Sequence, residues 1–176
     1  MDPRRPKPAE AAFTLTELMV VVLIIALLAI IAIPALTRDT AKSNYTKLVT
    51  ELHQTLQRAK IEAVSSREPR QVKFNSTTTY ELQAFLPGTA TVAQLRLVTV
   101  PPQTEIKSYV LDSAMASCSG ATAGVPGPIA FSAVSDVMVG GAAHSITLCV
   151  QSKDGRHKGR VTVAKTTAYI GIMEGW

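Results

Sequence analysis

The sequence is poor in the residues that carry catalysis or hold metals. Its 176 residues include only two cysteines and three histidines. Neither Cys118 nor Cys149 has a second Cys or a His at ligand spacing, so no metal site is expected. His53 falls in a helical stretch, His144 at the start of a strand and His157 in a charged turn. No acidic partner and nucleophile accompany any of them, so the chain does not read as an enzyme. A glycine-rich phosphate loop is missing; Gly140-Gly141 reads as a hairpin turn, and no cofactor is implied. Internal repeats and blocks of like charge are also missing. The net charge of +5 is too modest to indicate a nucleic-acid partner by itself.

What the chain does have is one long apolar run. From Leu18 to Leu36 the only residue that is not apolar is Pro34. As a helix the run is about 29 Å long, close to the hydrocarbon thickness of a bilayer. A buried core helix does not fit, because the remaining chain is too small to cover an all-apolar helix on every face. A cleaved secretory signal would have a shorter apolar core followed by a small-x-small site, whereas Ala29, Ala32 and Ala35 lie three apart. A plain membrane anchor explains the run but not Glu17, since an ionised carboxylate in lipid costs at least about 2.5–3.5 kcal/mol. Ahead of the run lies a basic leader whose Pro3, Pro6 and Pro8 forbid a regular helix. Its positive charge keeps that side cytoplasmic and sends the bulk of the chain across the membrane in a single pass.

Basic leader, small residue, Phe13-Thr14-Leu15, then Glu17-Leu18 and an apolar run with Pro34 near its end: this stretch resembles the class III signal of type IV pilins and type II secretion pseudopilins. The one departure is Ala12, where the family usually has Gly. The resemblance implies that a prepilin peptidase cuts between Ala12 and Phe13 and N-methylates Phe13. It also implies that Glu17 pairs with the terminal amine of a neighbouring subunit in a fibre. An α-amine is mostly cationic at neutral pH, and two opposite charges buried together cost far less than either alone.

Helical pattern resumes after Pro34, which reads as a kink rather than an end. A polar stretch follows, and then Tyr45, Val49, Leu52, Leu56, Ala59 and Ala63 form one stripe on a helix. The stripe either packs on a sheet or forms a dimeric coiled coil. Lys47/Glu51 and Arg58/Glu62 are i,i+4 pairs off the stripe, and Pro69 closes the helix. Beyond it the sequence alternates in short runs: 70–75, 79–85, 94–100 with Leu95 and Leu97 inward, 105–111, 129–134, 144–151, 160–165 and 169–173. Residues 113–128 read as a long loop of small residues. The expected fold class is α+β: a long N-terminal helix whose amphipathic half covers an antiparallel β-sheet. The division is a leader at 1–12, a membrane and assembly half-helix at 13–36, an amphipathic half-helix at 37–68 and a β-rich extracytoplasmic domain at 69–176.

The second half resembles the GspH/FimT-like minor pilins and pseudopilins. It shares their Ile129-Ala-Phe run, a strand ending in Cys149, a basic Gly-containing turn and Arg160-Val-Thr-Val. In the 144–151 strand Ile146, Leu148 and Val150 read as inward, so Cys149 points to the other face. It either bonds Cys118, closing a loop worth about 3–4 kcal/mol, or both stay free thiols with Cys149 covered by other strands. The cluster Lys153, Arg156, His157, Lys158 and Arg160 reads as a solvated hairpin tip. It is also the one candidate patch for a partner or for DNA, although it lacks interleaved aromatics and Asp154 dilutes it.

Together the resemblances imply a minor pilin, at or near the tip of a type IV pilus, that primes assembly and contacts other minor subunits. The alternatives are a type II secretion minor pseudopilin of the H type and a minor pilin binding DNA through its basic turn. The implied partners are other pilin or pseudopilin subunits, prepilin peptidase, an inner-membrane assembly platform, and the lipid bilayer before assembly.

Overall fold

The computed structural model describes residues 14–85, 91–112, 117–134 and 136–175, with residues 31–39 described by their helical backbone alone. Helix α1 spans Leu15–Ser66. It continues through Pro34; the expected kink there lies outside the described side chains. The chain divides into two compact units, Met1–Asp39 and Thr40–Trp176. In the first, the described apolar side chains from Leu18 to Leu28 are all largely exposed or solvent-facing.

In the second unit the apolar stripe of α1 is the spine of the core. Leu48, Val49, Leu52, Leu56, Ala59 and Ala63 are buried, with Tyr45 partly so. Their spacing puts them on one face, and that face meets the inner faces of two antiparallel sheets in one continuous cluster. Polar ties hold the same helix segment: Asn44 Nδ2 donates to the Pro102 carbonyl at 3.0 Å and Lys60 Nζ to that of Ala168 at 3.1 Å. Arg58 and Glu62 pair at 2.6 Å as expected. Glu51 does not take Lys47; its carboxylate accepts from Arg96 at 3.0 Å, a partner 45 residues away.

The helix ends where Arg67 adopts φ 55°, a left-handed residue just before Pro69. That conformation costs a residue with a Cβ about 1–2 kcal/mol, and glycine far less. Arg67→Gly is therefore expected to raise the unfolding free energy by about 1 kcal/mol, read as a higher urea midpoint with an unchanged slope.

The first sheet contains β1 (Arg70–Ser76), β2 (Thr79–Phe85), β3 (Val92–Thr99), β6 (Ile129–Phe131), β7 (Val137–Val139) and β8 (Ala142–Ala143), in the order β3-β2-β1-β6-β7-β8. The second contains β4 (Thr104–Leu111), β5 (Thr122–Ala123), β9 (Ile146–Ser152), β10 (Lys158–Val163) and β11 (Ile170–Glu174), in the order β11-β10-β9-β4-β5. The architecture is α+β.

Two further expectations are corrected. Leu95 and Leu97 do not face the core; they are 50% and 54% exposed. Val98 lies opposite Tyr80 and Arg96 opposite Leu82, and a register shift beside Leu82 leaves Leu95 as the extra residue of a bulge. The parity that points Arg96 at Glu51 turns both leucines outward. The small-residue loop contains β5, which pairs with β4 through Ser108–Ala123 and Tyr109–Thr122. All seven residues of β9 are buried, not only those facing the core. As the middle strand of its sheet, β9 has β4 and β10 on either side, and Cys149 on its other face is bonded to the 117–124 segment.

The phenol of Tyr80, fully buried opposite Val98 beneath α1, has no hydrogen-bond partner among the described residues. Thr55 faces it, and the Thr55 hydroxyl donates to the Glu51 carbonyl at 2.8 Å. Burial, reinforced by the Glu51 charge, holds the phenol well above its ordinary value. Below about pH 10 the group is neutral in both states and its contribution is fully present. Above that, the unfolded chain ionises first, so stability falls as pH rises, by up to about 1.4 kcal/mol per pH unit. Melting curves across the alkaline range are expected to show this limb, and Tyr80→Phe to show a shallower one.

Candidate functional site

The N-terminal motif and the basic turn are the two places to look for function. Ala12 and Phe13 lie outside the described residues. Glu17 is the third residue of α1 and Thr14 its cap. The Thr14 amide donates to Glu17 Oε2 at 3.0 Å and the Thr14 hydroxyl to the same oxygen at 2.9 Å; the Glu17 amide returns a bond to the Thr14 hydroxyl at 3.3 Å. This is a reciprocal capping box. The Thr-x-x-Glu spacing at residues 14 and 17 was the sequence signal for it. Both accepted bonds fall on Oε2, and Oε1 accepts none among the described residues.

Among the described residues no stretch of helix is long and apolar enough to cross a membrane. The apolar sequence runs on from Ile30 to Leu36, into residues described by backbone alone.

Cys118 and Cys149 are joined in a disulfide, with Cα atoms 6.1 Å apart. Cys149 lies between Arg160 of β10 and Ser108 of β4 in register. The bond fixes the segment that carries β5, whose Gly124 amide also reaches the Lys107 carbonyl at 2.9 Å.

The 153–158 turn is built rather than loose. Its Gly155 takes φ +70°, a conformation that strains a side chain. Ser152 and His157 exchange backbone and hydroxyl bonds, the Ser152 amide to the His157 carbonyl at 2.9 Å and the His157 amide to Ser152 Oγ at 3.0 Å. Asp154 accepts from the Ser152 hydroxyl and from the Arg156 amide, and these bonds hold its carboxyl below the usual carboxylate range. Asp154 thus serves as a turn former, at 3.9 Å from Arg156 Nε.

Of the predicted cluster, the structure brings Arg156, His157 and Lys158 to one cleft of about 550 Å³. Lys153 is exposed elsewhere on the turn, and its amide donates to Gln103. Arg160 is half-buried beside Cys149. The cleft also takes Lys42, Tyr45 and Thr46 from α1 and Glu174 and Gly175 at the end of β11. The rings of Tyr45 and His157 stack with centroids 5.9 Å apart. The aromatic that the turn lacks in sequence is therefore supplied by the helix. No local signal could have found Tyr45, because its partner is over a hundred residues away. One trace exists: a Cβ at Gly159 would lie 2.0 Å from the Tyr45 hydroxyl, so β10 leaves that position bare. Burial, then the nearby Glu174 charge, raises the Tyr45 phenol above its ordinary value and keeps it a neutral donor.

With this geometry in place, known proteins can be compared. Residues 7–33 match the prokaryotic N-terminal methylation motif. No curated protein sequence matches the chain. Among solved structures, the minor pseudopilin EpsH from the type 2 secretion system of Vibrio cholerae aligns with a TM-score of 0.50 at 11% identity, over 72% of this chain and 93% of that one. This is the type IV pilin fold. The type IV minor pilin FimU of Pseudomonas aeruginosa aligns with a TM-score of 0.49 at 15% identity, over 78% of this chain and 92% of that one. The chain thus resembles the type IV pilin-like proteins at both ends, by a methylation motif at its start and by a pilin-type β domain after it. From Tyr45 onward the apolar stripe of α1 is committed to the core of the second unit.

Proposed function

We propose that this chain is a minor pilin: an inner-membrane precursor cut between Ala12 and Phe13, N-methylated on Phe13 and built into a type IV pilus at or near its tip. The observation that carries the reading is the methylation motif over residues 7–33 joined to a β domain of pilin fold. The apolar part of α1 has no cover among the described residues. It suits lipid before assembly and the helices of neighbouring subunits after it. Glu17 supports the same reading, since its Oε1 remains available to the terminal amine of a neighbour. Prepilin peptidase and the inner-membrane assembly platform are the partners that such a route needs.

A second reading is a minor pseudopilin of the H type in type II secretion. The likeness to EpsH favours it. Deleting the gene separates the two: loss of surface pili supports the first, and loss of protein secretion with pili intact supports the second.

The test of the shared reading is intact mass and N-terminal sequencing of the protein from native membranes. A mature chain beginning at N-methyl-Phe13 is the expected result. A chain still beginning at Met1 beside an active peptidase would overturn it and leave an anchored extracytoplasmic binding protein.

A further inference from the structure

Assembly through α1 makes no use of the cleft between that helix and the β9–β10 turn. Its lining joins three cations, Lys42, Arg156 and Lys158, to one carboxylate, Glu174, around the Tyr45–His157 stack. Two features mark it as built. Gly159 gives up a side chain to admit Tyr45, and the turn that presents Arg156 is pinned by Ser152 and Asp154. At about 550 Å³ it lies in the size range of ligand pockets.

The charge pattern selects the class of ligand. A nucleic acid is held by a row of cations along its phosphates, and a single strand also by open aromatic faces. Here the cations converge on one hollow, and Lys153 and Arg160 do not line it. Glu174 would meet the phosphates, and Tyr45 and His157 spend a face on each other. A short peptide with a few carboxylates suits the site better: guanidinium and ammonium groups take the carboxylates, and Glu174 can take a backbone amide or a cation beside them.

We infer that this cleft receives an acidic peptide segment of a neighbouring subunit, held by Arg156 and Lys42 and aligned by Glu174. The neighbouring subunit rests on the assembly reading above; the chemistry of the cleft does not.

The test uses the full chain in detergent micelles and fluorescence anisotropy with four labelled probes: a short Glu-rich peptide, its Gln counterpart, a DNA single strand and a DNA duplex. The Glu peptide is expected to bind and the Gln peptide not. Arg156→Gln with Lys42→Gln is expected to weaken binding by about three- to tenfold, because both cations are exposed and each solvated charge pair contributes little by itself. Glu174→Gln, which keeps an oxygen to accept the aligning backbone amide and removes a charge of the same sign as the peptide's carboxylates, is expected to tighten it severalfold. That opposite sign cannot come from a damaged fold. Equal binding of both peptides, indifference to all three substitutions, or binding of DNA alone would overturn the inference. A processed Phe13 terminus with no peptide binding overturns the cleft and leaves assembly standing. A Met1 terminus with Arg156-dependent peptide binding supports the cleft and removes the assembly reading.

Discussion

Glu17→Gln is expected to leave α1 capped and yet keep the protein out of the fibre. Glutamine completes a capping box as glutamate does, because its side-chain oxygen can accept from the Thr14 amide. What it removes is the charge. If the neighbour's terminal amine is neutralised by Glu17 on packing, the substitution leaves that amine buried and unpaired. Such a loss costs about 3–5 kcal/mol, enough to lower incorporation at least about a hundredfold. The measurement is the ratio of this subunit in sheared fibres to that in membranes, wild type against variant. Glu17→Ala should lose the cap as well, a further cost of about 1 kcal/mol visible as lower helicity in micelles. Wild-type incorporation of the glutamine variant would reduce Glu17 to a helix cap and end its role in register.

The second large effect is expected on breaking the Cys118–Cys149 bond. The cysteines are 31 positions apart, and a loop of that size contributes about 3–4 kcal/mol in the chain-entropy account. For a domain whose total stability is of the order of 5–15 kcal/mol, that is a large share. Reduction, or Cys118→Ala with Cys149→Ala, should lower the unfolding free energy by that amount in urea. The damage should also be uneven. β5 is two residues long and holds to β4 through two register positions, so its amides depend on the bond. β9 has a strand on each side and all its residues buried. Hydrogen exchange is expected to speed at Gly124 well before it speeds in β9. Uniform loss of protection would mean that the bond supports the whole sheet rather than the segment it ties down.

Much of this fold was legible because much of it is local. The α1 stripe follows from helical spacing alone, and every residue in it from Val49 onward is buried. The β1–β2 hairpin follows from alternation on either side of a polar turn, and β2 begins and ends where the alternation does. Failures came where a distant partner sets the outcome. In β3 two leucines two apart looked like a core face, but Tyr80 and Glu51 claim Val98 and Arg96, and parity turns the leucines outward. The short strands β5, β7 and β8 have too few residues to show a period of two, and exist only through pairing with a strand that the fold brings beside them. The cleft was half legible. The turn's cations are adjacent in sequence, but Lys42, Tyr45 and Glu174 join them only through the docking of α1 and β11. The capping box was open to reading and hidden by Glu17's more conspicuous role as a charge in an apolar run.

The disulfide also has a mechanical meaning. In the fibre proposed above the chain would be a link under load, and how far it yields would depend on how much backbone can be drawn out once the sheets shear. The bond between Cys118 and Cys149 locks away a loop of 31 residues, about 100 Å of slack at full extension. An oxidised link therefore stops short where a reduced one would keep lengthening, a difference directly readable in the contour length of a single stretched molecule.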